Sequence, residues 1–245
     1  AAVTRRIPLV LTEADSHLGL TNRLLAGRAR RVCLAFPLPG RDGDRYLVTG
    51  RPVPPRTATR EQAREALGLG EADRLLLIFG GSLGARSINE AAVAAFADAP
   101  YRVLHVAGRR DFPGLTAPAP HYDLRDYMTP FGTALAGADL AVARSGGSVF
   151  ELAQYGLPAV LIPYPHAAAD HQTTNAAWME RGGAATVLSD AALTPPALRA
   201  AVDAVLLDPG RLRSMAAASA ALARPRAAAD VAREVLAAAA SPPPR

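Results

Sequence analysis

Short apolar runs alternate with stretches of helical periodicity along most of the 245-residue chain. An apolar run of about four to eight residues is long enough for a buried strand, and an amphipathic stretch of ten or more is typical of a helix. The alternation therefore predicts an α/β protein built from βαβ units around parallel sheets. Strands are predicted at residues 7–12, 31–36, 46–49, 74–79, 102–107, 139–143, 159–163 and 184–188, and helices at 19–26, 59–67, 85–97, 148–155, 170–181, 195–207 and 211–223.

A proline-rich segment at residues 50–56 indicates a domain boundary, since Gly-Arg-Pro-Val-Pro-Pro-Arg is typical of a stiff linker. The residues before it supply only about two βα units, fewer than a doubly wound sheet of roughly five or six strands requires. We therefore predict that residues 1–53 are the last part of a Rossmann-like domain whose beginning is absent from this sequence. Residues 54–224 are predicted to form a second Rossmann-like domain, and residues 225–245 a C-terminal helix and tail.

The basic residues limit the chemistry that this chain can perform. All 27 are arginine, which removes P-loop and Schiff-base mechanisms that need a lysine. The net charge of +5 is spread out, without the basic runs and interleaved aromatics of a nucleic-acid-binding protein. Such a balance fits an anionic partner, either a pyrophosphate group or an acidic membrane surface.

Features of secreted and membrane proteins are not found in the sequence. Cys33 is the single cysteine, so a disulfide framework or a thiolate zinc cluster is not expected. No apolar run reaches the roughly 18–20 residues of a membrane span, and no signal peptide precedes the first predicted strand. These observations predict a cytosolic protein.

A glycine-rich turn, Gly-Gly-Ser-Leu-Gly at residues 80–84, follows one predicted strand and precedes a helix. Free N–H groups at such a helix start can hold an anion, but a tight turn without a ligand has the same sequence. The dinucleotide pattern G-x-G-x-x-G does not fit, because Ser82 and Ala85 occupy two of its glycine positions. The turn does fit the G-x-S-x-G elbow of serine hydrolases, with Ser82 as nucleophile. A hydrolase would then draw its histidine from His105, His121, His166 and His171.

A second glycine-rich turn follows the predicted strand at 139–143. Ser148 and Glu151 have the spacing of a capping box, in which serine precedes the helix and the glutamate bonds back to it. Alternatively, a carboxylate beside an open helix N-terminus can accept hydrogen bonds from both hydroxyls of a ribose, while the helix N–H groups face a pyrophosphate. The residues of this segment leave both interpretations open.

A third segment brings polar side chains to the start of the helix predicted at 170–181. Asp170 is of a residue type that is preferred at the N-cap of a helix. Amide and carboxyl groups such as those of Gln172 and Asn175, placed beside a βα crevice, also suit sugar hydroxyls, which need donors and acceptors together. His166 and His171 fall on a loop and a helix instead of one helix face, so a metal site is not predicted.

Taken in order, these segments resemble the MurG-type N-acetylglucosaminyltransferases of glycosyltransferase family 28, which act in peptidoglycan synthesis. The N-terminal part also resembles the close of that family's first domain, through Glu13 and residues 19–25. The matching motifs are Gly-Gly-Ser-x-Gly-Ala at 80–85, Ala-Asp at 138–139, Arg-Ser-Gly at 144–146, Gly-x-Pro-Ala at 156–159 and Asp-x-Gln-x-x-Asn-Ala at 170–176.

The resemblance implies a GT-B fold, with two Rossmann-like domains and the sugar donor bound in the C-terminal one. It implies that Glu151 binds the ribose hydroxyls, that Gln172 binds the sugar hydroxyls, and that the backbone amide and carbonyl of Met128 recognise uracil. It further implies that the donor phosphates are contacted by Ser82, Gly146, Gly147 and Ser148. Further candidates on the same basis are Asp15, Arg144, Asp170 and His171.

The implied reaction transfers N-acetylglucosamine, with inversion, from UDP-N-acetylglucosamine to undecaprenyl-pyrophosphoryl-muramyl-pentapeptide, without a metal or other cofactor. Implied partners are this donor, the lipid-linked acceptor and the cytoplasmic face of the membrane. The membrane contact is expected to be made through the absent N-terminal domain. No nucleic acid is expected as a partner. The family's Gly-Gly-Thr-Gly-Gly-His loop, which carries the candidate general base, has no match here. We therefore expect the catalytic base to lie in the absent domain and the chain to be inactive alone. Two alternatives stay open: a serine hydrolase built on Ser82, and a UDP-sugar-binding fragment without catalysis.

Overall fold

The computed structural model describes Arg5, residues 7–81 and residues 84–240. Contacts divide the chain into two units, one formed by the described residues of Ala1–Pro54 and Arg224–Arg245 and the other by those of Pro55–Ala223. Residues 225–245 are predicted to be a separate C-terminal helix and tail, but in the structure the helix of this segment belongs to the same unit as the N-terminal segment. Helix α9 (Ala227–Ala240) packs against strand β1 (Val10–Glu13), so both belong to one unit.

The first unit contains a three-stranded parallel sheet in the order β1-β2-β3. Strand β2 spans Arg31–Leu34, strand β3 spans Tyr46–Val48, and helix α1 (Leu20–Leu25) lies between β1 and β2 in the chain. Glu13, at the end of β1, is buried, and its carboxylate accepts hydrogen bonds from the backbone of Asp15 and Gly19. This carboxylate therefore fixes the loop between β1 and α1.

The second unit contains a six-stranded sheet whose strands are all parallel, in the order β6-β5-β4-β7-β8-β9. The strands are β4 (Leu75–Phe79), β5 (Arg102–Val106), β6 (Tyr122–Arg125), β7 (Leu140–Ala143), β8 (Ala159–Leu161) and β9 (Ala185–Val187). The helices are α2 (Arg60–Ala66), α3 (Arg86–Ala95), α4 (Phe131–Gly137), α5 (Ser148–Tyr155), α6 (His171–Arg181), α7 (Pro195–Leu206) and α8 (Pro209–Ala221).

The central strands of this sheet are apolar along their whole length. All five side chains of β4 and all four of β7 are buried, so both faces of the sheet are covered. Strands covered on both faces are continuous apolar runs, which is why the sequence reveals them. In chain order, β4 is followed by β5 and β6 on one side, and β7 then pairs with the other side of β4. This reversal opens a crevice at the carboxyl ends of β4 and β7.

Asp139, the residue before β7, lies at the opposite end of the central strands, where it bonds to several neighbours. Its Oδ2 accepts from the Leu75 N–H at 2.8 Å and its Oδ1 from Arg60 Nη2 at 2.7 Å. Arg64 and Arg74 complete a cluster of three guanidinium groups around this buried carboxylate. Asp139 thus joins helix α2 to the amino ends of β4 and β7, away from the crevice.

Candidate functional site

A cavity of about 360 Å³ lies at the carboxyl ends of the parallel strands in the second unit. Residues that follow β4, β5, β6 and β7 contribute to its wall, together with the first turns of α5 and α6. Its apolar side includes Phe79 and Phe131, whose rings meet edge to face at 5.0 Å. The lining residues are Phe79, Gly80, Gly81, Val106, Gly108, Asp126, Tyr127, Met128, Phe131, Arg144, Gly146, Gly147, Ser148, Glu151 and Gln172.

The first glycine-rich turn forms one wall of this cavity. A Cβ atom at Gly80 would lie 2.4 Å from the backbone nitrogen of Ala85, and Gly81 has a φ of +91°. Neither position tolerates a side chain, so the backbone itself faces the cavity. Ser82 lies outside the described residues, and its contact with donor phosphates stays a prediction.

The second glycine-rich turn leads into helix α5. The interpretation of Ser148 and Glu151 as a capping box of this helix is wrong. Gly147 is the N-cap, no side chain caps the helix, and Ser148 is already the first helical residue. The Ser148 hydroxyl donates to the carbonyl oxygen of Arg144 at 3.1 Å. Because the helix begins at Ser148, this hydroxyl bonds back to the preceding turn instead of accepting from a first-turn N–H. Glu151 lines the cavity in the first turn of α5.

The start of α5 offers backbone donors to the cavity. The N–H groups of Val149 and Phe150 bond to the carbonyls of Gly146 and Gly147, each at 3.3 Å. Within the described part of the chain, the N–H groups of Gly147 and Ser148 make no hydrogen bond. Two such N–H groups at the positive end of a helix dipole suit a bound anion.

Gln172 lies beside this turn, in the first turn of α6, and its amide is oriented by the backbone. Its Oε1 accepts from the Tyr164 N–H at 3.0 Å. A Cβ atom placed on Gly146 would lie 3.8 Å from Gln172 Nε2. The acceptor end of the amide is thereby occupied, and its donor end is directed toward the second glycine-rich turn.

Two buried polar residues tie this turn to α6. The Ser145 hydroxyl donates to the Gln172 carbonyl at 2.8 Å, and Asn175 Nδ2 donates to the Ser145 carbonyl at 3.0 Å. Ser145 was predicted only as part of a family motif, and Asn175 was predicted to suit sugar hydroxyls, but Asn175 is buried and its amide nitrogen bonds to Ser145 instead. These bonds join residues that lie far apart in the chain, so no local pattern indicates them.

Arg144 lines the cavity but is held by the protein. Its Nη1 donates to the carbonyls of Ile162 and Pro163, each at 3.1 Å, and contacts Asp190 Oδ1 at 2.6 Å. Its Nη2 donates to the Ser87 hydroxyl at 2.8 Å. Much of its hydrogen-bonding capacity is therefore used to fix the ends of β7 and β8 relative to α3.

The remaining candidates do not line the cavity. Asp170 occupies the N-cap position of α6 with a φ of +51°, but its carboxylate accepts from the Thr173 hydroxyl instead of a backbone N–H. His171 Nδ1 bonds to the carbonyl of Ala168 at 2.8 Å. Asp15 belongs to the first unit, where its N–H donates to Glu13.

The loop after β6 presents backbone groups and one aromatic ring. Asp126 Oδ1 accepts from the Tyr127 N–H at 2.7 Å. The N–H and C=O of Met128 have no hydrogen-bond partner among the described residues. Arg109, which the sequence analysis does not single out, lies over the Tyr127 ring.

Two of the four candidate histidines, His105 and His121, offer little to the hydrolase alternative. His105 is fully buried, with Nε2 2.9 Å from the amide oxygen of Asn89 and Nδ1 2.7 Å from the Tyr122 hydroxyl. An amide oxygen only accepts, so Nε2 carries the proton and Nδ1 accepts from the tyrosine. Burial lowers the pKa of His105 to about 4. Both nitrogens are therefore occupied, and His121 is bonded to the carbonyl of Phe96.

The described residues contain no group of three or more histidine, cysteine, aspartate or glutamate side chains that could hold a metal ion. Within the same residues, no helix has the length and apolar character needed to cross a membrane.

Comparison with known proteins identifies the family. Residues 75–231, which include the whole cavity lining, match the glycosyltransferase family 28 C-terminal domain. The chain belongs to glycosyltransferase family 28. The resemblance inferred from the motifs at 80–85, 144–146 and 170–176 is thereby confirmed.

Two relatives carry the name "UDP-N-acetylglucosamine--N-acetylmuramyl-(pentapeptide) pyrophosphoryl-undecaprenol N-acetylglucosamine transferase". The protein from Symbiobacterium thermophilum is 40% identical over 253 residues, which cover 96% of this chain and 67% of the relative. The protein from Desulforudis audaxviator is 39% identical over 249 residues, which cover 93% of this chain and 66% of the relative. The chain thus spans about two thirds of the length of these relatives.

A solved structure agrees with this assignment. MurG from Acinetobacter baumannii superimposes with a TM-score of 0.77 at 29% identity, covering 96% of this chain and 68% of that one. The predicted α/β fold of the GT-B glycosyltransferase class, with parallel sheets, is confirmed.

Proposed function

We propose that this chain binds UDP-N-acetylglucosamine in the cavity of its second unit, as the donor-binding part of a transferase acting on a lipid-linked muramyl-pentapeptide. The observation that carries the proposal is the convergence of Glu151 and Gln172 on one cavity between two glycine-rich turns. The names of the family 28 relatives supply the identity of donor and acceptor.

The nucleobase is assigned to the loop after β6. Met128 offers an N–H donor and a C=O acceptor without partners in the described chain. A uracil edge carries an N–H donor beside carbonyl acceptors, so it can pair with both groups of one residue. Tyr127 lines the cavity next to Met128 and supplies an aromatic surface.

The ribose and the phosphates are assigned to the start of α5. The Glu151 carboxylate can accept from both ribose hydroxyls, and hydrogen bonds to a charged acceptor are stronger than neutral ones. The N–H groups of Gly147 and Ser148 face the diphosphate together with the backbone of the turn at Gly80 and Gly81. Arg144, which is bonded to Ile162 and Ser87 and paired with Asp190, fixes the start of this turn.

The transferred sugar is assigned to Gln172. Its Nε2 can donate to a sugar hydroxyl, because the bond from the Tyr164 N–H fixes the amide. In the proposed reaction an acceptor hydroxyl gives its proton to a general base and its oxygen bonds to the anomeric carbon, with inversion, while the bond to the UDP oxygen breaks. The N–H groups at the start of α5 stabilise the negative charge that develops on the leaving UDP.

The acceptor and the general base are not assigned to the donor cavity. We propose that both engage residues outside it, and that this chain alone binds the donor without transferring the sugar. Because the acceptor named for the relatives carries undecaprenol, the proposal locates the reaction at the cytoplasmic surface of the membrane.

Calorimetric titration with UDP, UDP-N-acetylglucosamine and ADP-glucose tests the donor assignment. We expect the two uridine nucleotides to bind. ADP-glucose should bind about ten-fold more weakly, since a two-point hydrogen bond to a base edge is worth roughly 1–3 kcal/mol of discrimination. A folded sample that gives no heat with UDP would contradict the proposal.

A further inference from the structure

Arg109 and Tyr127 form a stacked pair at the rim of the cavity. The guanidinium carbon of Arg109 lies 4.5 Å from the centre of the Tyr127 ring. Arg109 follows Gly108, which lines the cavity after β5, and Tyr127 lines it after the neighbouring strand β6. The pair therefore connects the two loops that border the proposed nucleobase position.

The guanidinium group of Arg109 contacts the Tyr127 ring. Among the described residues Arg109 forms no salt bridge, whereas Arg110, one residue later, bonds to Asp111 at 2.7 and 3.1 Å. Both arginines are exposed, and they carry the same charge. The two side chains differ in their partners, because Arg109 lies on the Tyr127 ring and Arg110 pairs with Asp111.

A ring covered on one face by a guanidinium group can stack with a ligand only through the rest of its surface. Tyr127 is 45% exposed and lines the cavity, so a substantial part of its surface stays accessible. The attraction between a cation and an aromatic face holds the ring in place. Aromatic rings are common stacking surfaces for nucleobases.

We propose that Arg109 is a positioning residue for the donor nucleobase, holding the Tyr127 ring as the surface on which the pyrimidine of UDP stacks. This inference rests on the proposed function of the cavity. Arg109 touches the ring and not the base, and it sets the position of the base relative to the N–H and C=O of Met128.

The test compares Arg109→Ala with Arg110→Ala, which removes the same charge one residue away. Each variant is titrated with UDP by calorimetry, with uridine by NMR, and with inorganic pyrophosphate in competition with UDP. We expect Arg109→Ala to weaken UDP and uridine by the same factor, about two- to five-fold, as a cation–π contact at an exposed site implies. The pyrophosphate affinity of Arg109→Ala should equal that of Arg110→Ala. Arg110→Ala should bind uridine with the same affinity as wild type.

A double-mutant cycle tests whether Arg109 acts through the ring. In a Tyr127→Ala background, Arg109→Ala should cause no further loss of uridine affinity, because the contact is already gone. Arg109→Lys keeps the cation and should recover part of the affinity, whereas Arg109→Gln should not. Thermal melts of every variant should match wild type.

Several results would overturn the inference. Loss of UDP and pyrophosphate affinity with uridine unchanged would make Arg109 a phosphate contact. An equal loss of uridine affinity in Arg110→Ala would show that the contact between Arg109 and Tyr127 does not position the base. An additive loss of uridine affinity in the Tyr127→Ala background would show the same. If wild type binds UDP and Arg109→Ala binds it equally well, only this inference fails. If wild type binds no UDP, the proposed function fails with it.

Discussion

The hydroxyl of Ser148 donates to the carbonyl oxygen of Arg144, and no side chain caps helix α5, so the capping box in which this hydroxyl accepts from the N–H of Glu151 is not formed. The helix begins one residue earlier than that motif needs, with Gly147 as its N-cap. A capping role therefore does not explain the glutamate in the first turn. Its place in the cavity wall favours the ligand-binding role.

Replacing Ser148 should have little effect on stability. We expect Ser148→Ala to change the free energy of unfolding by less than about 0.5 kcal/mol, because its bond to Arg144 is not a cap. Thr194→Ala is the matched comparison, since Thr194 Oγ1 does accept from the Ala197 N–H at the start of α7. That variant should lose about 1 kcal/mol in urea unfolding. Equal losses in the two variants would contradict this reading of α5.

Removing Asp139 should destabilise the sheet strongly without affecting the cavity. Asp139→Ala leaves the N–H of Leu75 and the guanidinium of Arg64 without their buried carboxylate, which should cost about 3 kcal/mol or more. Asp98 provides the control because it pairs with Arg199 but is 90% exposed, and Asp98→Ala should cost less than about 1 kcal/mol. Urea unfolding measures both variants. A loss in Asp139→Ala no larger than in Asp98→Ala would be inconsistent with the anchoring role.

His105 should make the stability depend on pH. Burial lowers its folded-state pKa to about 4 from an ordinary 6.5, so below pH 6.5 the unfolded chain binds a proton that the folded chain does not. The stabilisation is complete above pH 6.5 and is lost as pH falls toward 4, by roughly 3 kcal/mol. His105→Gln cannot titrate and should show a shallower fall over this range. Parallel slopes for wild type and variant in urea unfolding would contradict the assignment.

The chain alone should not transfer sugar or act as a hydrolase. Positioning both substrates supplies a large part of any transfer rate, and the acceptor is not assigned to this cavity. Incubation with labelled UDP-N-acetylglucosamine and the lipid-linked muramyl-pentapeptide should give no product. A fluorophosphonate probe should not label Ser82. Product formation by a sample free of other transferases would refute the first expectation, and labelling at Ser82 would revive the hydrolase alternative.

Much of the fold could be predicted because buried parallel strands are continuous apolar runs. Strand β4, Leu-Leu-Leu-Ile-Phe, and strand β7, Leu-Ala-Val-Ala, are visible in the sequence for this reason. Strand β6 (Tyr122–Arg125) was missed because it lies at the sheet edge and carries Asp123 and Arg125. Helix α4 (Phe131–Gly137) was missed because it contains two glycines and follows Pro130.

The site was partly predictable for a related reason. Glycine-rich turns after apolar strands are local signals that indicated Gly146 and Glu151, and the polar residues at a helix start indicated Gln172, before the structure brought the three together. The stack of Arg109 on Tyr127 depends on the pairing of β5 with β6, and no local pattern indicates it.

The central claim is that the Glu151 carboxylate binds the ribose of a uridine nucleotide, and Glu151→Gln tests it most directly. Replacing one carboxylate oxygen by an amide donor should weaken UDP binding about ten-fold or more, since hydrogen bonds to a charged group are worth roughly 1.5–3 kcal/mol. Glu90→Gln, at an exposed position of α3, is the control and should bind UDP as wild type does. With 2′-deoxy-UDP, wild type should lose affinity and Glu151→Gln should lose little more. Equal UDP affinity in wild type and Glu151→Gln, with unchanged thermal melts, would contradict the account.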